Sequence, residues 1–417
     1  MTGPARTERF IMPGFAAAES LLAAGVALGL LFISVVGPDS GDNYIRFAAL
    51  GISASCIALA LIAGLSQRTA KADVLVILAF CYFILVGVQE MTQSDILHAF
   101  PYLLGAFSSI GAIHANLSGL MSGLRRWTLI VIIAALLPAF VGQGFSEGRV
   151  WLGLLPGRYY GFSNPDALSF LAGLAILLSI PVLRSTRGFA LAALGGLLFL
   201  LTATYTAAIA TTLASTAYFF LIGRNVNRIL QWFIAVFATL TAVALVWIPT
   251  DNAIVAFSSL HEKVSLTRRT FIWVELLQHT RGTGYFWTGL GDQAVARYTS
   301  EIMGVGSAHM TILQLFLSKG FIATAFFILV ATIAAIRTLG HCSSDPGGVH
   351  RLAMAVVVYW FVTSLASTQP GTAMGFSAVI AIAISRSEKE SKESLAYVAR
   401  KSPLVVHSGT AERRSEA

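Results

Sequence analysis

The sequence predicts an all-α, polytopic integral membrane protein. Of its 417 residues, 56% are hydrophobic and 12% charged, against about 25% charged in an ordinary soluble domain. The mean hydropathy is +0.75. Uncharged apolar runs recur along the chain, and about 20 apolar residues suffice for one helical crossing.

Twelve runs qualify as spans: 13–36, 46–65, 74–89, 96–115, 128–143, 166–183, 188–204, 206–223, 230–248, 309–336, 352–368 and 371–385. The first follows Arg6 and Arg9. It is too long for the core of a cleaved leader and has no persuasive cleavage site, so it reads as an uncleaved first helix. The boundary between 188–204 and 206–223 is the least defined, because almost no polar residue separates them. One membrane domain therefore covers 1–385. The remainder, 386–417, is polar and mixed in charge, which predicts a disordered cytoplasmic tail.

The net charge is +8. Its distribution fits the positive-inside rule with both termini cytoplasmic. The inside segments hold Arg6/Arg9, Arg68/Lys71, Arg125/Arg126, Arg184/Arg187, Arg224/Arg228 and Arg337/Arg351. No compact basic domain with interleaved aromatics exists, which argues against a nucleic-acid partner. Cys56, Cys81 and Cys342 are scattered and suggest neither a disulfide framework nor a metal site. The outside cations concentrate in two extracytoplasmic loops. Loop 144–165 carries Arg149 and Arg158; loop 249–308 carries Lys263, Arg268, Arg269, Arg281 and Arg297.

Three stretches there bear on chemistry. The first is Gly157-Arg158-Tyr159-Tyr160-Gly161-Phe162-Ser163-Asn164-Pro165-Asp166. Pro165 suits the first turn of the next helix, with Ser163 or Asn164 at its cap, leaving helix-end N–H groups that favour an anion. The same stretch also reads as an interfacial aromatic belt of Trp151, Tyr159 and Tyr160. The second is Arg268-Arg269-Thr270-Phe271-Ile272-Trp273, where Arg269 and Trp273 share a helical face. A guanidinium fork matches phosphate oxygens; those oxygens belong either to a substrate or to lipid under a surface helix. The third is His309, either a structural residue at a helix start or a proton acceptor near neutral pH. The following run contains Lys319-Gly320. It reads as a half-helix 309–318 ahead of a full span, or as one tilted helix whose lysine snorkels; a lysine at that depth must snorkel, pair or line a polar cavity.

Taken in order, Arg158…Gly161…Asn164-Pro165-Asp166, Arg269…Trp273, Gly289-Leu290-Gly291 and His309…Gln314…Gly320 resemble the O-antigen ligase/polymerase superfamily of bacterial envelope glycan assembly. The resemblance covers about residues 150–325 and implies a GT-C-like, metal-independent glycosyltransferase of the bacterial inner membrane, needing no cofactor. Its implied donor is a glycan on undecaprenyl pyrophosphate. Its acceptor is a lipid-linked repeat unit in a polymerase of exopolysaccharide or O-antigen, or lipid A–core in a ligase. Expected partners are the bilayer, a flippase and chain-length or export proteins. The implied catalytic residues are His309, Arg269 and Arg158. Arg268, Asn164, Trp273, Arg281, Gly289, Gly291 and Lys319 are the implied substrate-binding set. Family ligases carry Ser-Arg where this chain has Leu201 to Ala208 with no arginine, and commonly Asn where it has Met310. The missing arginine favours the polymerase.

Asp166, Glu275, Asp292 and Glu301 also fall in outer segments and compete with His309 as the base. A glycolipid transporter or flippase is a different class, as is a non-catalytic scaffold of an export complex. Ion-coupled carriers place acids within spans. These boundaries leave no acid deeper than Asp166, and only Lys319, His98 and His114 as deep polar candidates.

Overall fold

The computed structural model describes residues 19–27, 43–65, 73–93, 96–140, 143–145, 159, 165–202, 204–220, 274–275, 278, 285–303, 310–344, 348–365 and 373–385. The expected span 230–248, much of loop 249–308 and the tail 386–417 lie outside these residues. The described elements are helical: α1 (19–27), α2 (Asn43–Leu65), α3 (Val74–Gln93), α4 (Ile96–Ala112), α5 (Leu117–Phe140), α6 (Pro165–Ser179) with a 3-10 turn (Ile180–Val182), α7 (Thr186–Thr202), α8 (Tyr205–Phe220), α9 (Asp292–Met303), α10 (Thr311–Ser344), α11 (Gly348–Ser364) and α12 (Ala373–Ile384). Helices satisfy every backbone group internally, which lipid demands. Among the described residues, four are long and apolar enough to cross a membrane: Val74–Gln93, Leu117–Phe140, Pro165–Val182 and Thr311–Cys342. Shorter apolar helices accompany them.

The outward faces are as apolar as the core. On α3, Val74, Ile77, Cys81, Leu85, Val88 and Met91 form an exposed stripe at helical spacing. On α5, Ile130, Ile133, Leu137 and Phe140 do the same. A helix apolar all round belongs in lipid or a large core. Small residues let helices approach. Gly105 of α4 meets the Phe83 ring of α3, and Gly195 of α7 meets Ala172 and Ala175 of α6, as in membrane bundles generally.

Several boundaries depart from expectation, and three of them matter for the site and the packing. α5 starts at Leu117 instead of 128. Its Gly and Ser residues read as loop, yet Leu117, Leu120, Met121 and Leu124 recur at helical spacing and are all buried. Asn116 accepts from the Ser118 N–H (2.9 Å) as its cap. α3 continues past 89 to Gln93, so Glu90 lies inside the helix and is buried. α10 runs on past 336 to Ser344, while its break at Gly320, with φ 76° and ψ −177°, is the interruption that the half-helix reading expects.

α3 and α10 pack antiparallel and are tied at both ends. Glu90 pairs with Lys319, and Asp73 pairs with Arg337. The stretch between the two ties is about 26 Å at 1.5 Å per residue, close to the ~30 Å of a hydrocarbon core. α11 returns antiparallel to α10, as the His341–His350 and Phe327–Trp360 ring contacts require.

Candidate functional site at the Lys319 end of the bundle

The break in α10 exposes backbone groups that would otherwise bond within the helix. The stretch 285–291 satisfies them. Leu290 N–H donates to Leu317 O (2.8 Å), Gly291 N–H to Ser318 O (2.9 Å), and Phe321 N–H to Phe286 O (2.8 Å). From α3, Gln89 Nε2 donates to Lys319 O (3.1 Å), and Gln93 Nε2 to Thr288 O (3.1 Å).

Glycine is required on both sides of this contact. A Cβ on Gly289, whose φ is 69°, would lie 2.4 Å from the Ser318 carbonyl carbon and 2.5 Å from the Lys319 and Gly320 nitrogens. A Cβ on Gly320 would lie 2.3 Å from Trp287 O. Both residues sit in the left-handed half of backbone space that glycine alone visits at low cost. Phe286 stacks on Phe321 with centroids 5.3 Å apart, and it also meets Phe316 edge-on. Trp287 and Tyr285 stay exposed, as aromatics at a membrane boundary do.

Lys319 does not snorkel. Its side chain is 0% exposed and donates to Glu90, also 0% exposed. It also donates to Asp292 Oδ2 (2.7 Å), on a side chain 30% exposed. Asp292 opens α9, where the helix dipole favours a negative charge. The Tyr102 ring centroid lies 5.1 Å from the ammonium, within cation–π range, and the Tyr102 hydroxyl bonds Asp292. Four elements thus converge on one ammonium: α3, α4, α9 and the α10 break. Isolated charges are prohibitive in such a place; paired and hydrogen-bonded ones are held.

Of the residues implied by the motifs, Gly289, Gly291 and Lys319 come together here. Gly289 and Gly291 do so through the chain itself, packing against or bonding to the head of α10. Arg158, Asn164, Arg268, Arg269, Trp273, Arg281 and His309 lie outside the described residues. His309 directly precedes the described Met310, where α10 is about to begin.

The four competing carboxylates separate. Asp292 is committed to Lys319. Glu275 acts on Tyr298 of α9, whose phenol is pushed up first by burial and then by that carboxylate. Glu301 is exposed. Asp166, in the first turn of α6 behind Pro165, borders a recess at the same end with Ser169, Thr204, Thr206 and Thr363.

Tyr159 departs from the aromatic-belt reading. It is fully buried, and its hydroxyl donates to Ala135 O (2.6 Å) while its N–H donates to Leu201 O (3.0 Å). Burial pushes its phenol above the ordinary value. It pins the end of loop 144–165 across α5 and α7.

Sequence reasoning missed Glu90, Gln89, Gln93 and Tyr102. Glu90 was legible: Ala79, Phe83, Val86 and Glu90 repeat on the buried face of α3. The expectation of no acid deeper than Asp166 is corrected accordingly. His114 falls in the turn after α4 and is only half-buried.

The chain matches no family model and no curated protein.

Proposed function

We propose that the protein is a polymerase of bacterial surface polysaccharide. In this reading it transfers glycan from undecaprenyl pyrophosphate to a hydroxyl of a lipid-linked acceptor repeat unit, on the outer side of the inner membrane. One observation carries most weight. The Gly-x-Gly of the long loop and the glycine after His309 are two halves of one interlock. Three glycines of the motif series, Gly289, Gly291 and Gly320, thus meet in one mount at one end of the bundle, and His309 comes two residues before its helix in the sequence.

The reaction follows from elementary chemistry. The acceptor oxygen forms a bond to the anomeric carbon as the bond to the pyrophosphate oxygen breaks. The hydroxyl proton passes to His309. The electron pair leaves with undecaprenyl pyrophosphate, whose growing negative charge Arg269 and Arg158 stabilise, with Arg268 and Arg281 as further cations. Positioned cations of this kind commonly supply a hundredfold or more in rate. Lys319, fully engaged by two carboxylates, supports the mount instead of touching the donor; this revises the substrate-binding role implied for it.

The buried Glu90–Lys319 pair lends some weight to a carrier, since such pairs mark ion pathways in transporters. Its place near a helix end, away from the midplane where carriers hold their ions, favours surface chemistry. A deletion strain discriminates. Single repeat units accumulating on the outer face identify a polymerase, accumulation on the inner face a flippase, and unmodified lipid A–core beside intact polymer a ligase.

A further inference from the structure

The opposite end of the bundle, marked by Arg337, holds a second cluster of cations. Arg337 is paired with Asp73. Arg125 of α5 and Arg351 of α11 are not so provided. Each is partly buried, the Nε of each is enclosed without a partner, and no hydrogen bond or ion pair to either guanidinium occurs among the described residues.

The two belong to one neighbourhood. Arg125 feels the Tyr218 phenol of α8. The Tyr218 hydroxyl lies 3.8 Å from where a Cβ of Gly348 would stand. Gly348 and Arg351 are three apart and share a face of α11. His350 and His341 stack nearby, with centroids 6.1 Å apart. The 17-residue α11 begins at the same end. The contrast with Arg126 is informative: the adjacent arginine is exposed, whereas Arg125 is partly buried and faces Tyr218 of α8.

A guanidinium cannot shed its proton, so one that is partly buried, with its Nε enclosed and unpartnered, is readied for an anion that reaches its terminal nitrogens. Two planar forks beside a helix N-terminus suit a phosphate group in particular. We propose that Arg125, Arg351 and the start of α11 form a binding site for a phosphate group. It is carried by an anionic lipid headgroup wedged between α5, α8 and α11, or by free phosphate entering from the same side. The charge pattern puts this end in the cytoplasm, where basic recesses between helices meet an anionic leaflet. The site is independent of the reaction at the other end.

The test uses the full chain in phosphatidylcholine nanodiscs. Inorganic phosphate is titrated in one arm and phosphatidylglycerol is mixed into the disc in the other, with the unfolding midpoint and retained lipid by native mass spectrometry as readouts. At least one anion should raise the wild-type midpoint, and which one does so identifies the source. Arg125→Gln and Arg351→Gln should each weaken that response about tenfold or more, while Arg126→Gln leaves it unchanged. Should a glutamine variant fail to fold, Arg125→Lys and Arg351→Lys decide, since lysine keeps the charge but loses the fork. No midpoint shift with either anion would overturn the proposal. So would an unchanged response in the Arg125 and Arg351 variants, or an equal loss in Arg126→Gln.

Discussion

Lys319 holds three elements together through charge, and removing it strands two carboxylates. Lys319→Met should therefore cost about 3–5 kcal/mol, the usual penalty for breaking a buried pair. Glu90→Gln should cost less, since Asp292 still neutralises the ammonium. Thermal unfolding in detergent measures both, and the double variant should be less destabilised than the sum of the singles because the residues share one contact. Strict additivity would contradict the triad. The lysine was conspicuous in the sequence because a charge inside an apolar run is costly. Its pairing was not: Glu90 shows as a buried-face position only once α3 is carried past 89, and Asp292 lies 27 positions away. Nothing local to the chain announces a meeting across such separations.

At the scale of the element, the break in α10 and the loop that fills it are one unit. Gly289→Ala and Gly320→Ala should each release the loop, because the added carbon meets backbone that cannot move aside. Limited proteolysis should then cut within 285–303 much faster than in the wild type. Gly51→Ala and Gly196→Ala, which meet nothing within 4 Å, should be neutral or slightly stabilising. Equal protection across all four variants would contradict the interlock. Here the sequence was informative in kind: Lys319-Gly320 marks an interruption, and Gly-x-Gly marks a turn. That the two fit each other emerges only when Leu290 and Gly291 are seen donating to the carbonyls of Leu317 and Ser318. α5 shows the reverse case, a helix start hidden because glycine and serine masked its apolar repeat.

At the scale of the whole molecule, the two ties between α3 and α10 place their ends about one bilayer thickness apart. With Cys56, Cys81 and Cys342 replaced, a cysteine at Thr92 should react with a membrane-impermeant thiol reagent added outside intact spheroplasts. One at Asp73 should react only after the membrane is opened. Both reacting from outside would contradict the orientation. That the described elements would be helices, four of them long and apolar enough to cross a membrane, was legible from the uncharged runs of about 20 residues, since only helices or closed barrels satisfy the backbone in lipid. The residues proposed to do the chemistry were legible only as motifs.

The reading depends most directly on turnover. Purified protein incubated with a defined lipid-linked repeat unit, in the absence of divalent metal, should produce a ladder of longer lipid-linked glycans and release undecaprenyl pyrophosphate. His309→Ala and Arg269→Ala should cut that rate about a hundredfold or more while inserting normally. Repeat units left unjoined by the wild type, or ladders of normal length from either variant, would contradict it.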